Sequence, residues 1–252
     1  SALGSGTYST VWALAVIGTN LYAGESGNRL VERWDGVSWS TLGSAISTDV
    51  AFALTVIGTD LYVGGSFLYP TPGVDARGLA KWNGSSWSAV GNGTEFYGST
   101  VNALASIGTD LIAAGEFQNI QSPGNIRRWN GSTWTGFGSG TNAQVRALSV
   151  VGNTVYAGGA FTIADGVASN HIAKWDSSGW SSLGSGTNDW VYSMNTQGVD
   201  LFEGGAFTIA GEKPSTRFGR WEIADAPDWS WANDAGGTGS EIATGVATDD
   251  SG

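Results

Sequence analysis

A segment with two tryptophans five positions apart recurs along this 252-residue chain. Four clear copies read ERWDGVSWSTLGSA (32–45), AKWNGSSWSAVGNG (80–93), RRWNGSTWTGFGSG (127–140) and AKWDSSGWSSLGSG (173–186), and a degraded fifth, GRWEIADAPDWSWA, covers 219–232. The first tryptophans of the five copies are spaced 48, 47, 46 and 46 residues apart. A period of this length without a helical apolar pattern is typical of propeller blades rather than helical solenoids.

The second repeat shows how each unit divides into four strands, A to D. Strand A is predicted at 51–57, strand B at 61–67 and strand C at 79–83, with strand D beginning at Trp87. The Asn83-Gly84 pair between strands C and D is a strong hairpin signal, because both residue types tolerate positive φ. The sequence therefore predicts an all-β chain, a β-propeller of four-stranded blades with five visible repeats.

The repeats also predict domain boundaries. We expect one propeller over 1–221, with an acidic end at 222–252 that holds the last D strand and the start of a further propeller-like repeat. Because residues 1–6 resemble the end of a D strand, two arrangements stay open: a closed five-bladed ring, or part of a longer propeller. The blades are predicted near 11–48, 49–98, 99–143, 144–189 and 190–232.

Glycine doublets end several of the predicted B strands, at 64–65, 158–159 and 204–205, and each is followed by a spaced aromatic pair. This combination resembles the kelch-type propeller repeat, although repeat one has Gly24-Glu25 and repeat three Ala114-Gly115. The pattern is more similar to the Trp- and Gly-rich propeller repeats of bacterial surface and secreted proteins. That resemblance implies the fold, and it implies little about function. The low lysine content, three residues in the chain, favours an extracellular or cell-surface location.

The repeated tryptophans are predicted to be structural, because large flat side chains at fixed places can fill the space between neighbouring blades. We expect the following tryptophans to be mostly buried between blades: Trp82, Trp87, Trp129, Trp134 and Trp175. A basic residue precedes the first tryptophan of every repeat, which favours a structural role such as a cation over a neighbouring ring. These residues are Arg33, Lys81, Arg128, Lys174 and Arg220.

The candidate binding site comes from positions that vary between repeats. The B–C loops also vary, but the clearest case is the second residue of each strand A, near the rim of the predicted channel. Aromatic rings, a guanidinium and an amide there suit stacking on a sugar with hydrogen bonds to its hydroxyls, and packing between blades is the alternative. The predicted site comprises Trp12, Phe52, Asn102, Arg146 and Tyr192, with Trp190 two residues before Tyr192.

Charge and composition narrow the function classes. The net charge of −11 includes no basic stripe, which disfavours nucleic acid as a partner, and no apolar run is long enough for membrane insertion. The chain has no cysteine, and its lone histidine, His171, is expected at the surface, so neither a metal site nor a cofactor is predicted. Carboxylates at or near the ends of B strands (Glu25, Glu116 and Glu203) leave a carbohydrate-active enzyme open.

These observations favour a non-catalytic extracellular propeller that binds a ligand, with carbohydrate as the first expectation. The alternative is a structural or adhesion module of a larger surface protein, and an enzyme is the third possibility. The expected partners are a glycan or a surface protein, and further domains of the same chain are possible.

Overall fold

The computed structural model describes residues 3–27, 29–43, 49–92, 95–96, 98–117 and 124–223, and all their regular structure is β-strand. Five antiparallel sheets follow one another along the chain, and each pairs its strands in sequence order apart from two small hairpins. Sheet I contains β1 (Val11–Ile17), β2 (Asn20–Glu25), β3 (Val31–Trp34) and β4 (Trp39–Thr41). Sheet II contains β5 (Val50–Ile57), β6 (Asp60–Ser66), β7 (Leu79–Trp82) and β8 (Trp87–Ala89). Sheet III contains β9 (Thr100–Ile107), β10 (Asp110–Glu116), β11 (Ile126–Trp129) and β12 (Trp134–Gly136).

Sheets IV and V continue the series, and each has a short hairpin inserted between its second and third strands. Sheet IV contains β13 (Val145–Val151), β14 (Thr154–Gly159), β17 (Ile172–Asp176) and β18 (Gly179–Ser182), with the hairpin β15 (Ile163–Ala164) and β16 (Val167–Ala168). Sheet V contains β19 (Val191–Gln197), β20 (Asp200–Gly205) and β23 (Phe218–Glu222), with the hairpin β21 (Ile209–Ala210) and β22 (Lys213–Pro214).

The all-β prediction is confirmed, as are repeated four-stranded antiparallel sheets. In sheet II the predicted strands A, B and C match the observed ones to within one residue at each end, while strand D is only three residues long. Arrangement of the sheets as a propeller stays a prediction. Almost all of the predicted acidic end lies outside the described residues, which stop at 223.

The chain divides into two compact units. The first comprises 1–121 and 128–135, and the second comprises 122–127 and 136–252. In the first unit, buried side chains of sheets I and II form one apolar core, and a second lies between sheets II and III. In the second unit, sheets IV and V share a core that includes Phe207 and Trp221. Each unit therefore buries its apolar surface between the faces of consecutive sheets.

Close sheet packing depends on the first glycine position of each doublet. A Cβ built on Gly64 would lie 2.6 Å from Val101 of the next sheet, and one on Gly24 would lie 3.1 Å from Ala51. In the second unit, a Cβ on Gly158 would lie 2.6 Å from Val191. The missing side chain lets an apolar residue of the following A strand approach the backbone of the preceding B strand.

The C–D turns use their acidic or amide residue differently from the sequence prediction. Only the glycine has positive φ in the Asn83-Gly84 turn, with φ of 94° at Gly84. The Asn83 side chain instead accepts hydrogen bonds from the backbone N–H groups of Ser85 and Ser86. Asp35 and Asn130 accept equivalent pairs of bonds. The turn is therefore held by a side chain that mimics a backbone acceptor.

The repeated tryptophans pack in pairs across the C–D hairpins. The ring centroids of Trp82 and Trp87 lie 5.3 Å apart, and the Trp87 Nε1–H donates to the Leu42 carbonyl of sheet I at 2.9 Å. In the second unit, Trp180 donates to Phe137 in the same way. Of the five tryptophans predicted to be buried, Trp87 is buried and the other four are partly exposed. Trp87 and Trp180 thus join one sheet to the next through a hydrogen bond as well as through packing, whereas the equivalent Trp134 Nε1–H has no partner among the described residues.

Four of the five basic residues before the first tryptophans form an ion pair with an aspartate. Lys81 lies 3.0 Å from Asp60, and Arg128 lies 2.7 Å from Asp110. Arg220 contacts Asp200 at 3.3 Å, whereas Lys174 pairs with Asp176 at 3.7 Å. Repeat four begins its B strand with threonine in place of the aspartate, which explains the change of partner. The pairs of Lys81, Arg128 and Arg220 join strands B and C, whereas that of Lys174 lies within strand C, and such charge pairing favours a structural role.

We predict that Trp87→Ala lowers the free energy of unfolding by about 3–5 kcal/mol, because it empties a large buried site and leaves the Leu42 carbonyl without its donor. Urea unfolding followed by circular dichroism measures the change. Val37→Ala, at a turn residue that is 83% exposed, is the control and should cost little. A loss below about 1 kcal/mol for Trp87→Ala would contradict the structural role of this ring.

Candidate functional site

The five varying A-strand positions share one backbone feature. The pairing register shifts between Val145 and Ala147, so that Arg146 is the extra residue of a β-bulge against β14. Sheets I, II, III and V have the same shift in their first strands. A bulge turns the extra side chain away from the normal alternation of the strand. The bulged residues are Trp12, Phe52, Asn102, Arg146 and Tyr192.

The second glycine of the doublet makes room for this bulge. A Cβ on Gly159 would lie 2.3 Å from the Gln144 carbonyl oxygen, immediately before the bulge. A Cβ on Gly205 would lie 2.1 Å from the Trp190 carbonyl oxygen, and one on Gly65 only 1.9 Å from that of Val50. No side chain fits at such distances, so this glycine is required wherever the bulged strand approaches so closely.

Three of the six predicted site residues converge in the second unit. The Arg146 guanidinium carbon lies 5.3 Å from the ring centroid of Trp190 and 5.4 Å from that of Tyr192. The two rings meet edge to face, with centroids 6.2 Å apart and planes at 84°. All three side chains are partly exposed. We call Arg146, Trp190 and Tyr192 the cation–aromatic cluster. It combines two ring faces with a planar cation.

Two equivalent loops hold the backbone of this cluster. Both contain the sequence GSGTN, at 138–142 and 184–188. The Asn142 side chain accepts bonds from the N–H groups of Thr162 and Ile163, and Asn188 does the same for Thr208 and Ile209. These bonds tie each D–A loop to the following B–C hairpin. The cluster is therefore carried on a backbone that is fixed before any ligand arrives.

The other three predicted residues belong to the first unit. Trp12 is 51% exposed, and its ring meets Phe52 edge to face with centroids 5.3 Å apart. Asn102 occupies the same bulge position in sheet III and is partly exposed. The structure thus brings together Trp12 with Phe52 in one unit, and Arg146, Trp190 and Tyr192 in the other.

The B–C loops of repeats four and five are alike, although the sequence analysis expected them to differ. Both begin with the sequence FTIA and form a hairpin of two-residue strands, β15–β16 and β21–β22. Phe161 and Phe207, which open these loops, are fully buried. The lone histidine, His171, ends the first loop with φ of 65° and is half-buried rather than at the surface, and this burial lowers its pKa. These loops are structural repeats.

The carboxylates left open for catalysis are arranged differently from the sequence-based suggestion. In the first unit, Glu25 is fully buried beside Glu32, which pairs with Arg29 at 2.7 Å. Burial first, and then the charge of Glu32, raise the pKa of Glu25 to about 7. Glu116 is exposed. The carboxylate that lies beside Glu25 is therefore Glu32, from the same sheet.

Glu203 is the most strongly perturbed acid of the second unit. It is fully buried, and neither of its carboxylate oxygens has a hydrogen-bond partner among the described residues. It lies opposite Gly219 in the β20–β23 pairing, where a Cβ would come 2.7 Å from Glu203 Oε1. Burial raises its pKa to about 8. Glu203 is therefore mostly protonated at neutral pH.

The described residues contain neither a metal-ligand cluster nor a membrane-spanning helix. Within the described ranges, no three or more histidine or acidic side chains are close enough together to hold a metal ion. No described helix is long and apolar enough to cross a membrane. A cleft of about 250 Å³ at the ends of sheets II and III is lined by residues that include Asp49, Ser66 and Arg77, and none of the predicted site residues lines it.

Comparisons with known proteins find distant structural similarity but no match in sequence. No family model matches the chain, and none of the curated proteins matches it in sequence. One of the solved structures that it resembles is the crystal structure of the computationally designed Ika8 protein, at 16% identity and a TM-score of 0.48. The similarity covers 87% of this chain and 73% of that one.

We predict that stability falls as pH rises from about 4.5 to 8, because Glu203 binds its proton more tightly in the folded chain than in the unfolded one. The stabilisation that protonated Glu203 contributes is complete below its pKa in the unfolded chain, and it is lost as pH rises through its pKa of about 8 in the folded chain. Glu203 should contribute a slope of about 1.4 kcal/mol per pH unit in that window. Urea unfolding at a series of pH values measures it.

Glu203→Gln should remove that part of the slope, whereas Glu222→Gln, at an exposed residue of the same sheet, should leave it unchanged. The Glu203→Gln variant should still lose some stability as pH rises, because the pKa of Glu25 is also raised, to about 7. Its remaining pH dependence should be smaller than that of wild type. An identical pH profile for wild type and Glu203→Gln would disprove the assignment.

Proposed function

We propose that this chain is a non-catalytic extracellular carbohydrate-binding protein built as a β-propeller, and that it holds its ligand at the cation–aromatic cluster. The observation that carries the proposal is the convergence of Arg146, Trp190 and Tyr192 from two consecutive sheets. The exposed bulge position is where the repeats differ most, whereas the glycines and turns around it are repeated. Variable side chains on a constant scaffold are typical of recognition sites.

The geometry of the two rings supports a sugar as the ligand. A pyranose has one apolar face of C–H groups, which stacks on an aromatic ring, and a rim of hydroxyls, which need donors and acceptors. With ring planes at 84°, Trp190 and Tyr192 offer a face and an edge at one corner. The Arg146 guanidinium supplies donors beside that corner. The cluster therefore contains both kinds of group that a sugar requires.

Affinity at a single site of this size should be low. Few contacts are available, and they must outweigh the lost freedom of the ligand. Trp12 and Phe52 form a similar exposed aromatic pair at the equivalent bulges of the first unit. We propose that this pair is also a contact for sugar. Two weak contacts on one chain raise the apparent affinity for a polymer without any new interaction.

The test is binding to immobilised glycans by the double variant Trp190→Ala/Tyr192→Ala. We expect binding to fall at least about tenfold. Each aromatic contact contributes about 0.5–1.5 kcal/mol to the free energy of binding, and a tenfold loss corresponds to about 1.4 kcal/mol for the two rings together. The melting temperature should change little, because both side chains are partly exposed. Tyr69→Ala, at an exposed tyrosine of the first unit, is the control. Undiminished binding by the double variant would reject this site.

A second candidate function, a structural or adhesion module, is favoured by the exposed face of β1. In sheet II, Ala51 and Leu54 pack on Gly24 of the preceding sheet. Their equivalents in β1, Val11 and Leu14, are 38% and 60% exposed, and Val16 is 61% exposed. An apolar strand face of this kind is a typical association surface.

The position of residues 3 and 4 indicates what would cover this face. The Leu3 carbonyl accepts the Trp39 Nε1–H bond, as the Leu42 carbonyl accepts that of Trp87. Residues 3–4 therefore lie where the D strand of a preceding sheet would lie. The uncovered face of β1 has room for the A, B and C strands of such a sheet. A second copy of this chain carries such strands, and we propose it as the occupant.

We predict that the wild-type chain self-associates with increasing concentration and that Leu14→Asp/Val16→Asp remains monomeric, because two charges would be buried in an apolar contact. Sedimentation equilibrium measures both proteins. Val37→Asp adds one charge at an exposed turn and should leave association unchanged. A wild-type chain that stays monomeric at every concentration would contradict the adhesion role of β1.

A further inference from the structure

Arg146 differs from most basic residues of the described part of the chain in how its charge is held. Among the described residues it makes no ion pair and no hydrogen bond through Nε, which is buried. Four of the five basic residues at the repeated positions differ, since Lys81, Lys174, Arg128 and Arg220 each face an aspartate. The fifth, Arg33, also has a buried Nε without a partner among the described residues. Arg146 is instead held by two rings, 5.3 and 5.4 Å away. Arg146 is therefore a cation held between ring faces, with no ion-pair partner among the described residues.

The environment of this cation strengthens its pull on an anion. Burial of Nε removes part of the water around the guanidinium, and the Trp190 and Tyr192 rings exclude more. A charge–charge contact is worth more where solvent is partly excluded than it is in bulk water. A guanidinium also binds a carboxylate through two parallel hydrogen bonds, which a neutral hydroxyl cannot accept in the same geometry.

The surrounding charge limits how many negative groups a ligand can carry. Asp189 lies exposed next to Trp190 and accepts the Trp190 backbone N–H at 2.7 Å, and the whole chain has a net charge of −11. These charges repel a densely sulfated or phosphorylated polymer. A single carboxylate beside an apolar sugar face avoids this repulsion and still reaches Arg146.

We infer that the cation–aromatic cluster selects a sugar that bears one carboxylate, a uronic-acid type of residue, with the carboxylate on Arg146 and the ring on Trp190 or Tyr192. This inference rests on the proposed function and adds the chemical class of the ligand. The site uses charge for selection and ring stacking for general affinity.

The test compares three soluble monosaccharides by isothermal titration or NMR: galacturonic acid, its methyl ester and neutral galactose. Wild type should bind the acid at least about tenfold more tightly than the ester or the neutral sugar. The preference should weaken as salt increases, because a partly exposed ion pair is screened.

Variants separate the two parts of the site. Arg146→Gln should lose the preference and bind all three sugars equally weakly, and Arg146→Lys should keep part of it. Lys174→Gln removes the same charge from the second unit at a residue that is paired with Asp176. It should keep the full preference, which excludes a long-range charge effect.

The possible results distinguish the two proposals. Equal wild-type affinity for acid and ester, with binding lost in Trp190→Ala, would overturn the carboxylate inference and leave the sugar site intact. Binding of none of the three sugars by wild type would overturn both. A preference for the acid that survives Arg146→Gln would place the carboxylate contact elsewhere and also overturn the inference.

Discussion

The structure depends on how closely backbone and side chains approach each other at two consecutive positions of strand B. At the first position, Gly64 and Gly158 admit an aliphatic side chain of the following sheet, at distances that no Cβ would allow. At the second, Gly65 and Gly159 admit the carbonyl that precedes a bulge in their own sheet. One doublet thus sets both the spacing between sheets and the shape of the innermost strand. The hairpin tryptophans and the B–C ion pairs reinforce an arrangement that these glycines permit.

The bulge separates the structural part of each A strand from the part that can vary. Val101 and Leu104 face the glycine of the preceding sheet, so their size is constrained by packing. The bulged residue, Asn102 in that strand, does not take part in the regular alternation. Its side chain can change between repeats without disturbing the sheet contact. The repeats carry tryptophan, phenylalanine, asparagine, arginine and tyrosine there for this reason.

The sequence was sufficient for the repeated sheets, and insufficient for the details that shape the site. Strand boundaries followed from tryptophan spacing and turn residues, because those signals are local. The bulge was missed because one extra residue hardly alters the periodicity of a short strand, although the second glycine of each doublet was its signal. The likeness of the two FTIA loops was visible in the sequence, and their buried phenylalanines explain it. The convergence of Arg146 with Trp190 and Tyr192 depends on how two neighbouring sheets pack. The order of residues along the chain does not give the distance between side chains of different sheets.

The central claim is that two sets of tryptophans on one scaffold have different roles: those of the C–D hairpins are structural, and Trp190 at the cluster contacts the ligand. The most direct measurement is an NMR titration of the indole N–H signals with galacturonic acid, with Trp190 and Trp180 assigned through phenylalanine variants. The account predicts that the Trp190 signal shifts with ligand concentration while the Trp180 signal, whose N–H is bonded to the Phe137 carbonyl, does not. Shifts confined to the hairpin tryptophans would contradict it.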